Sequence, residues 1–411
     1  MITEKLISTI DSNSQLFSRF ANELVDSFNN TNDFTLEQLE NGILLNFNIL
    51  DRETKKKINP ILKLASVEDA QELVDICEEV YAGTYPYKEY TDVDAIRQKI
   101  KSSNYHFFLF KDVNGNSMGC FKYCLDFEQK RGYLGGFMVR RKYQGRVDVV
   151  KAMISMAVVM ISKYGDEIML WYCENRTAHV KSQYSFLKCG LRPIAFYPNK
   201  DIFFDNVESD LMQILYDKKV LNGSRCPKTP IIIPEAVDCF HFSDRVYNLG
   251  SMQISTPNIV LNPLKLASLT KNLTIKVNRD KYGYENISMS FTGSRSYFKF
   301  LYTPTVKNFE KAEYQVSSLE ELFVFIQEYK KMARQKGVRY MEIFVSAYKP
   351  AHQRLFSDIG FVPRGYIPSW QYIEKVFEDH ILFNLAEGEI DPNIQLIDEA
   401  GELLEILDLC N

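Results

Sequence analysis

A chain of 411 residues, 45% apolar and 25% charged, has room for two or three packed cores and the composition of an ordinary globular protein. Its net charge of −4 argues against a general polyanion binder, so a nucleic-acid role would need a local basic patch. The first ten residues already carry Glu4, Lys5 and Ser8, and the longest apolar helical run, 152–161, is too short to span a bilayer. The expectation is a cytoplasmic protein with no membrane segment.

Residues 1–58 read as a separate helical segment. Leu6, Ile7 and Ile10, then Phe17, Phe20, Leu24 and Phe28, recur at helical spacing, and Thr35-x-x-Gln38 can cap a second helix through Leu44, Leu45 and Phe47. The segment offers no chemistry and reads as a packing or dimerising appendage. From Ile61 the pattern is mixed. A strand over 61–65 precedes a helix capped by Ser66 and Asp69, and 85–90 is an aromatic loop containing Tyr85, Tyr87 and Tyr90. Strands over 107–111 and 118–125 are joined by Asn114-Gly115, a hairpin signature. Strand 134–139, a long helix, strand 168–173, a helix over 178–188 stopped by Gly190, and closing strands at 203–204 and 210–216 follow.

The stretch 133–157 organises this part of the chain. An apolar strand enters a loop bearing Arg140, Arg141, Lys142 and Arg146, and Val147, Val150, Met153, Ile154, Ala157 and Val158 then follow at helical spacing. The first N–H groups of a helix lack internal partners and the helix dipole favours an anion there, so strand, basic loop and helix together predict an anion site. The eight cysteines are scattered through apolar runs without a Cys-x-x-Cys, which predicts buried free thiols.

Val139, Tyr143, Gln144 and Gly145, with Gly135-Gly136 before them, resemble the loop that holds the CoA pyrophosphate in the GNAT superfamily of acyl-CoA-dependent N-acyltransferases. Two of the family's small residues are here Val147 and Val149. The order of elements over 60–218 also resembles that family. A second match lies at Asn175, Ala178, Ser182, Gln183, Gly190 and Leu191, on the acceptor side. The resemblance implies an α/β (α+β) fold and acetyl-CoA or another acyl-CoA as cosubstrate, with no metal. It implies that Phe137, Met138, Val139, Gln144, Gly145, Arg146, Val147, Asp148, Asn175 and Ser182 hold the cofactor. The acceptor would be an amine of a small molecule or peptide. Many members protonate the leaving thiolate with a Tyr four residues before the Gly; Phe186 stands there, with Tyr184 two residues earlier. The candidates for proton transfer are Glu128, Glu174, His179 and Tyr184, each of which also reads as an ordinary strand-end or helix-end polar group.

The run 218–234, with Asn222-Gly223, Pro227, Pro230 and Pro234, is the best linker. Beyond it the pattern repeats. Gly190, Pro193 and Pro198 align with Gly360, Pro363 and Pro368 at an offset of 360 − 190 = 170, as do Gln183 with Gln353 and Glu208 with Glu378. The expectation is two GNAT-like mixed-sheet domains in tandem. Their bounds are 59–222 and 236–386, with a linker at 223–235 and an acidic helical tail at 387–411. The second copy lacks a basic loop. Ser317 or Ser318 can cap its long helix, and Glu320 and Glu321 would repel a pyrophosphate. Two rival readings stay open: a catalytically inactive GNAT-like binding or scaffold protein, and a tandem transferase using aminoacyl-tRNA, which would need a large basic groove.

Overall fold

The computed structural model describes residues 39–44, 49–147 and 149–406. Within them the chain runs β1 (Ile43–Leu44), β2 (Ile49–Leu50), β3 (Lys57–Ile58), β4 (Ile61–Leu64), α1 (Ala70–Tyr81), α2 (Val93–Ile100), β5 (Tyr105–Lys111), β6 (Ser117–Asp126), β7 (Arg131–Val139), α3 (Val150–Tyr164), β8 (Leu170–Arg176), α4 (Lys181–Lys188), β9 (Arg192–Phe203) and β10 (Asn206–Tyr216). It continues with β11 (Ile231–Ile232), α5 (Val237–Tyr247), β12 (Gln253–Ile254), α6 (Pro263–Asn272), β13 (Leu273–Arg279), β14 (Glu285–Phe291), β15 (Tyr297–Thr303), β16 (Asn308–Gln315), α7 (Leu319–Lys336), β17 (Tyr340–Ser346), α8 (Pro350–Asp358), β18 (Val362–Ile373), β19 (Val376–Ala386) and α9 (Asp398–Ile406).

The fold is α/β. One mixed sheet takes the order β1-β4-β5-β6-β7-β8-β10-β9-β18-β19-β17-β16-β15-β14-β13. Read outward from the middle, β9-β10-β8-β7-β6-β5-β4 is answered by β18-β19-β17-β16-β15-β14-β13, so each half repeats the other's order. The halves meet where Gly365 of β18 faces Ala195 of β9. A Cβ on Gly365 would lie 2.3 Å from the Ala195 Cβ, so the seam closes because glycine stands there. Ile194, Tyr197, Met212, Tyr340, Trp370 and Leu382 form an apolar cluster across the join.

The repeat extends to single residues. β8, β9 and β10 recur 170 residues later as β17, β18 and β19, with identical lengths. Gln183 donates to the Arg176 carbonyl at 3.1 Å, and Gln353 donates to the Ser346 carbonyl at 3.0 Å. Each glutamine also takes a crossing segment. The Ile397 N–H reaches Gln183 Oε1 at 3.2 Å, and the Ile233 N–H reaches Gln353 Oε1 at 3.0 Å. The tail thus returns to the first half while the connector docks on the second.

Several expectations need correcting. Ile43–Leu44 is a strand paired with β4, not part of a helix. The helices expected within 1–38, and Leu45 and Phe47, lie outside the described residues. Val147 precedes α3, because its backbone bridges to Asp51 instead. β9 begins at Arg192, eleven residues before the expected closing strand. The connector is pinned: Arg225 Nη2 lies 2.6 Å from the buried Asp379 carboxylate. The tail helix ends at Ile406 in the described residues.

Candidate functional site

The site begins where two parallel strands part. β7 and β8 pair at Arg131↔Leu170, Gly132↔Trp171 and Tyr133↔Tyr172, and then diverge. Beyond Tyr133, β7 keeps β6 on one side and opens on the other into a cleft of about 1470 Å³. A bulge sits at this fork. Cys120 faces Met138 and Lys122 faces Gly135, so Gly136 and Phe137 together oppose the single residue Phe121. The bulge interrupts the ladder and re-aims the backbone at the cleft. Gly136 has φ +59, which favours glycine. Gly135 serves another need: a Cβ there would approach the Lys122 Cε to 3.2 Å and a ring carbon of Tyr133 to 2.7 Å. The glycine pair makes room for the stem of Lys122, whose ammonium lies 3.4 Å from the centre of the Tyr90 ring. Burial pulls that ammonium down to about 7.

The turn after β7 is more closed than a strand feeding directly into a helix. A 3-10 turn, Arg141–Tyr143, comes first, and α3 starts at Val150 without a side-chain cap from Val149. Gln144 folds back to donate to the Val139 carbonyl at 2.8 Å. The Glu79 carboxylate of α1 accepts the Arg141 N–H at 2.9 Å and pairs with the Arg140 guanidinium. One internal anion therefore already occupies part of this basic turn.

Phe137, Met138, Val139, Gln144, Gly145 and Val147 all line the cleft. Gly145 has φ +71, and a Cβ there would meet nothing within 4 Å. Arg146 is the exception among the described loop residues expected there: it points to Asp51 at 2.9 Å and Glu53 at 2.8 Å, drawn by carboxylates beside β2. This pairing holds Asp51 well below the usual carboxylate range. Asp148 lies outside the described residues. Asn175 and Ser182 line the cleft, but the Asn175 amide nitrogen is committed to Gln213 Oε1 at 2.8 Å and Cys173 Sγ at 3.0 Å. It braces β8 against β10.

Glu128, Glu174, His179 and Tyr184 also border the cleft. Glu128 is exposed, and Tyr184 is 48% exposed. Glu174 is in an ion pair with Lys200 at 2.8 Å. His179 sits in the loop before α4. Its Nδ1 is buried without a partner among the described residues, and burial lowers its pKa, favouring neutral imidazole. Phe186 is buried in the cleft wall, so the position expected for a proton donor holds a ring with no hydroxyl.

Of the cleft floor, sequence reasoning found Glu174 and missed the rest. Lys200, only 3% exposed in its side chain, is gripped by Glu174 and, at 3.1 Å, by Glu342 of the second half. Tyr340 donates to Glu342 at 3.0 Å, and Tyr87 donates to Asp201 at 2.9 Å. Asp201 and Asp210 are both buried at the cleft, and burial pushes both carboxyls above the usual range, with the neighbouring Asp201 pushing Asp210 further. Burial pushes Glu310 up to about 7. The available signal was a charge inside an otherwise apolar strand, as in Phe121-Lys122-Tyr123.

No protein-family model matches the chain, and no curated protein matches its sequence. Among solved structures, a single-site variant of a spermidine N-acetyltransferase from Vibrio cholerae is similar at 12% identity and a TM-score of 0.34, covering 39% of this chain and 95% of that one. The dodecameric form of that spermidine N-acetyltransferase gives 14% identity and a TM-score of 0.34, over 40% and 96%. A probable acetyltransferase from Staphylococcus epidermidis gives 11% identity and a TM-score of 0.32, over 39% and 99%.

Proposed function

We propose that this chain is a GNAT-type N-acyltransferase that moves an acyl group, acetyl in the first instance, from acyl-CoA to an amine. The observation that carries the reading is the fork of β7 and β8 with its bulge at Gly136 and Phe137. A thioester laid along the unpaired edge of β7 would meet fixed backbone dipoles aimed at its carbonyl, which is what stabilises the oxyanion of acyl transfer. The amine nitrogen bonds to the thioester carbon, the carbon–sulfur bond breaks, and the thiolate leaves. His179 is the candidate for taking the amine proton, since its Nδ1 is unpartnered and its ring tends to neutrality. The halves at 59–222 and 236–386 are proposed as tandem copies, of which the first binds CoA. Beside them stand an N-terminal segment at 1–58, a connector at 223–235 and an acidic helical tail at 387–411.

A second reading, a binding protein without catalysis, is favoured by one observation: Glu79 already sits on the Arg141 N–H. Calorimetric titration with acetyl-CoA separates the two. The acyltransferase reading expects saturable binding that Gly136→Val abolishes and Glu79→Gln tightens several-fold. Absence of heat at millimolar acetyl-CoA in both the native chain and Glu79→Gln overturns it.

A further inference from the structure

The floor of the cleft holds more negative charge than it can neutralise. Glu174, Asp201, Asp210, Glu310 and Glu342 all line it. Lys200 pairs with two of them, while Arg339 spends its guanidinium on the carbonyls of Asn199, Lys200 and Val306. Buried carboxylates without a counter-cation keep a proton instead. Burial and the neighbouring Asp201 push Asp210 well above the usual carboxylate range, with Lys200 opposing. No donor among the described residues reaches Asp210 Oδ1, although Asp210 is 3% exposed and lines the cleft.

The protein itself shows how an ammonium is held here. The Lys200 Nζ lies between Glu174 and Glu342 and 4.1 Å from the centre of the Tyr197 ring. Carboxylates in front and an aromatic face beside them are what an alkylammonium prefers. The Asp201–Asp210 pair, with Tyr87 donating to Asp201, lines the same cleft with no ion pair of its own among the described residues. Glu310 adds a third carboxyl, with one oxygen taken by the Thr303 hydroxyl.

We propose that the cleft floor, centred on Asp201, Asp210 and Glu310, is a subsite for an aliphatic ligand carrying two or more ammonium groups. Within the acyl-transfer reading, on which its role as an acceptor subsite rests, such a polyamine is the acceptor class. One ammonium is anchored at the floor while another nitrogen reaches the fork. Binding replaces a proton held by these buried carboxyls with an ammonium, so protons leave the protein as the ligand enters.

The test is calorimetry of the full chain without CoA, in buffers of differing ionisation enthalpy, using 1,4-diaminobutane and bis(3-aminopropyl)amine with n-butylamine as the monoamine control. The expected result is saturable binding of the di- and triamine at least ~10-fold tighter than the monoamine, with proton release near pH 7. Asp210→Asn, isosteric and neutral like the protonated carboxyl it replaces, should fold normally and lose both the preference and the proton release. Glu310→Gln should weaken the triamine, while Glu399→Gln, an exposed position on α9 outside the cleft lining, should change nothing. Equal affinity for mono- and triamine, or full affinity in a folded Asp210→Asn, overturns the subsite. A parallel acetyl-CoA titration keeps the two readings apart. CoA binding without triamine binding sinks the subsite alone. Triamine binding without CoA binding sinks acyl transfer and leaves the subsite standing.

Discussion

The two forks of the sheet share one geometry and differ in what fills them. In the second half, β16 and β17 pair in parallel at Asn308↔Tyr340 and Phe309↔Met341 and then part, as β7 and β8 do. A bulge sits beside this fork as well. Lys299 faces Glu313 and Leu301 faces Glu310, so Lys311 and Ala312 oppose Phe300. Lys311 has φ +54 where Gly136 has φ +59. Glu310 stands where the first half has Gly135, and Leu301 where it has Lys122.

The helices beyond the forks diverge most. Ser318 caps α7, and the Glu321 carboxylate accepts the Ser317 and Ser318 N–H groups and the hydroxyls of Ser294 and Ser296. An internal anion satisfies that helix end. Val149 gives α3 no side-chain cap, and among the described residues an anion at the turn before it is Glu79 from another helix, itself partly exposed. The lesson is that a fork and a helix dipole make an anion site only while no carboxylate of the chain completes it.

The largest expected effect breaks the seam on which the comparison rests. Gly365→Leu forces a side chain into Ala195 and should destabilise the chain by about 3 kcal/mol or more, read as a lower chemical-denaturation midpoint with both halves affected.

The next effect is specific to the second half. Burial holds the Glu310 carboxyl up at about 7, against an ordinary value of 4.5. A carboxyl raised in the folded state stabilises below its unfolded pKa, and that stability is lost as pH climbs through the folded value. Stability should therefore fall between about pH 4.5 and pH 7 by up to about 3 kcal/mol. Glu310→Gln should flatten this part of the profile.

The bulges give a paired experiment. Gly136→Val puts a β-branched residue in the left-handed region and should cost about 2 kcal/mol. Lys311→Gly should move the other way, stabilising by less than about 1 kcal/mol, because it relieves the same strain where a side chain now bears it. If both substitutions destabilise equally, the two bulges are not equivalent. An effect smaller than that of Gly136→Val is expected at the filled helix end. Glu321→Ala should cost about 1 kcal/mol in thermal or denaturant unfolding and leave acetyl-CoA binding unchanged.

Much of this was legible because it is local. Asn114-Gly115 and Asp280 to Gly283 mark tight turns: Gly115 donates to the Asp112 carbonyl and Gly283 to the Asp280 carbonyl. Ser318 with Glu321 marks a helix start. The offset of 170 between Gly190 and Gly360 reflects two equivalent helix ends, each glycine at positive φ. The strand–turn–helix at 133–157 could be read from periodicity, and the α/β fold was what the family resemblance implied. β9 was missed at its start, and Pro193 and Pro198, legible only as parts of the repeat, both lie inside the strand.

The sequence by itself determined the local elements, the caps and turns, the repeat, and the glycine pair that admits a bulge, because each depends on residues within a few positions of one another. Tertiary structure alone decided that Arg146 leaves the cleft for Asp51, that Glu79 reaches the Arg141 N–H, and that one continuous sheet joins the halves at Gly365. It also decided that Glu174, Lys200, Asp201, Asp210, Glu310 and Glu342 face one cleft. Those contacts join residues far apart in the chain. A charged side chain in a strand shows that something must compensate it, but not which distant group does so.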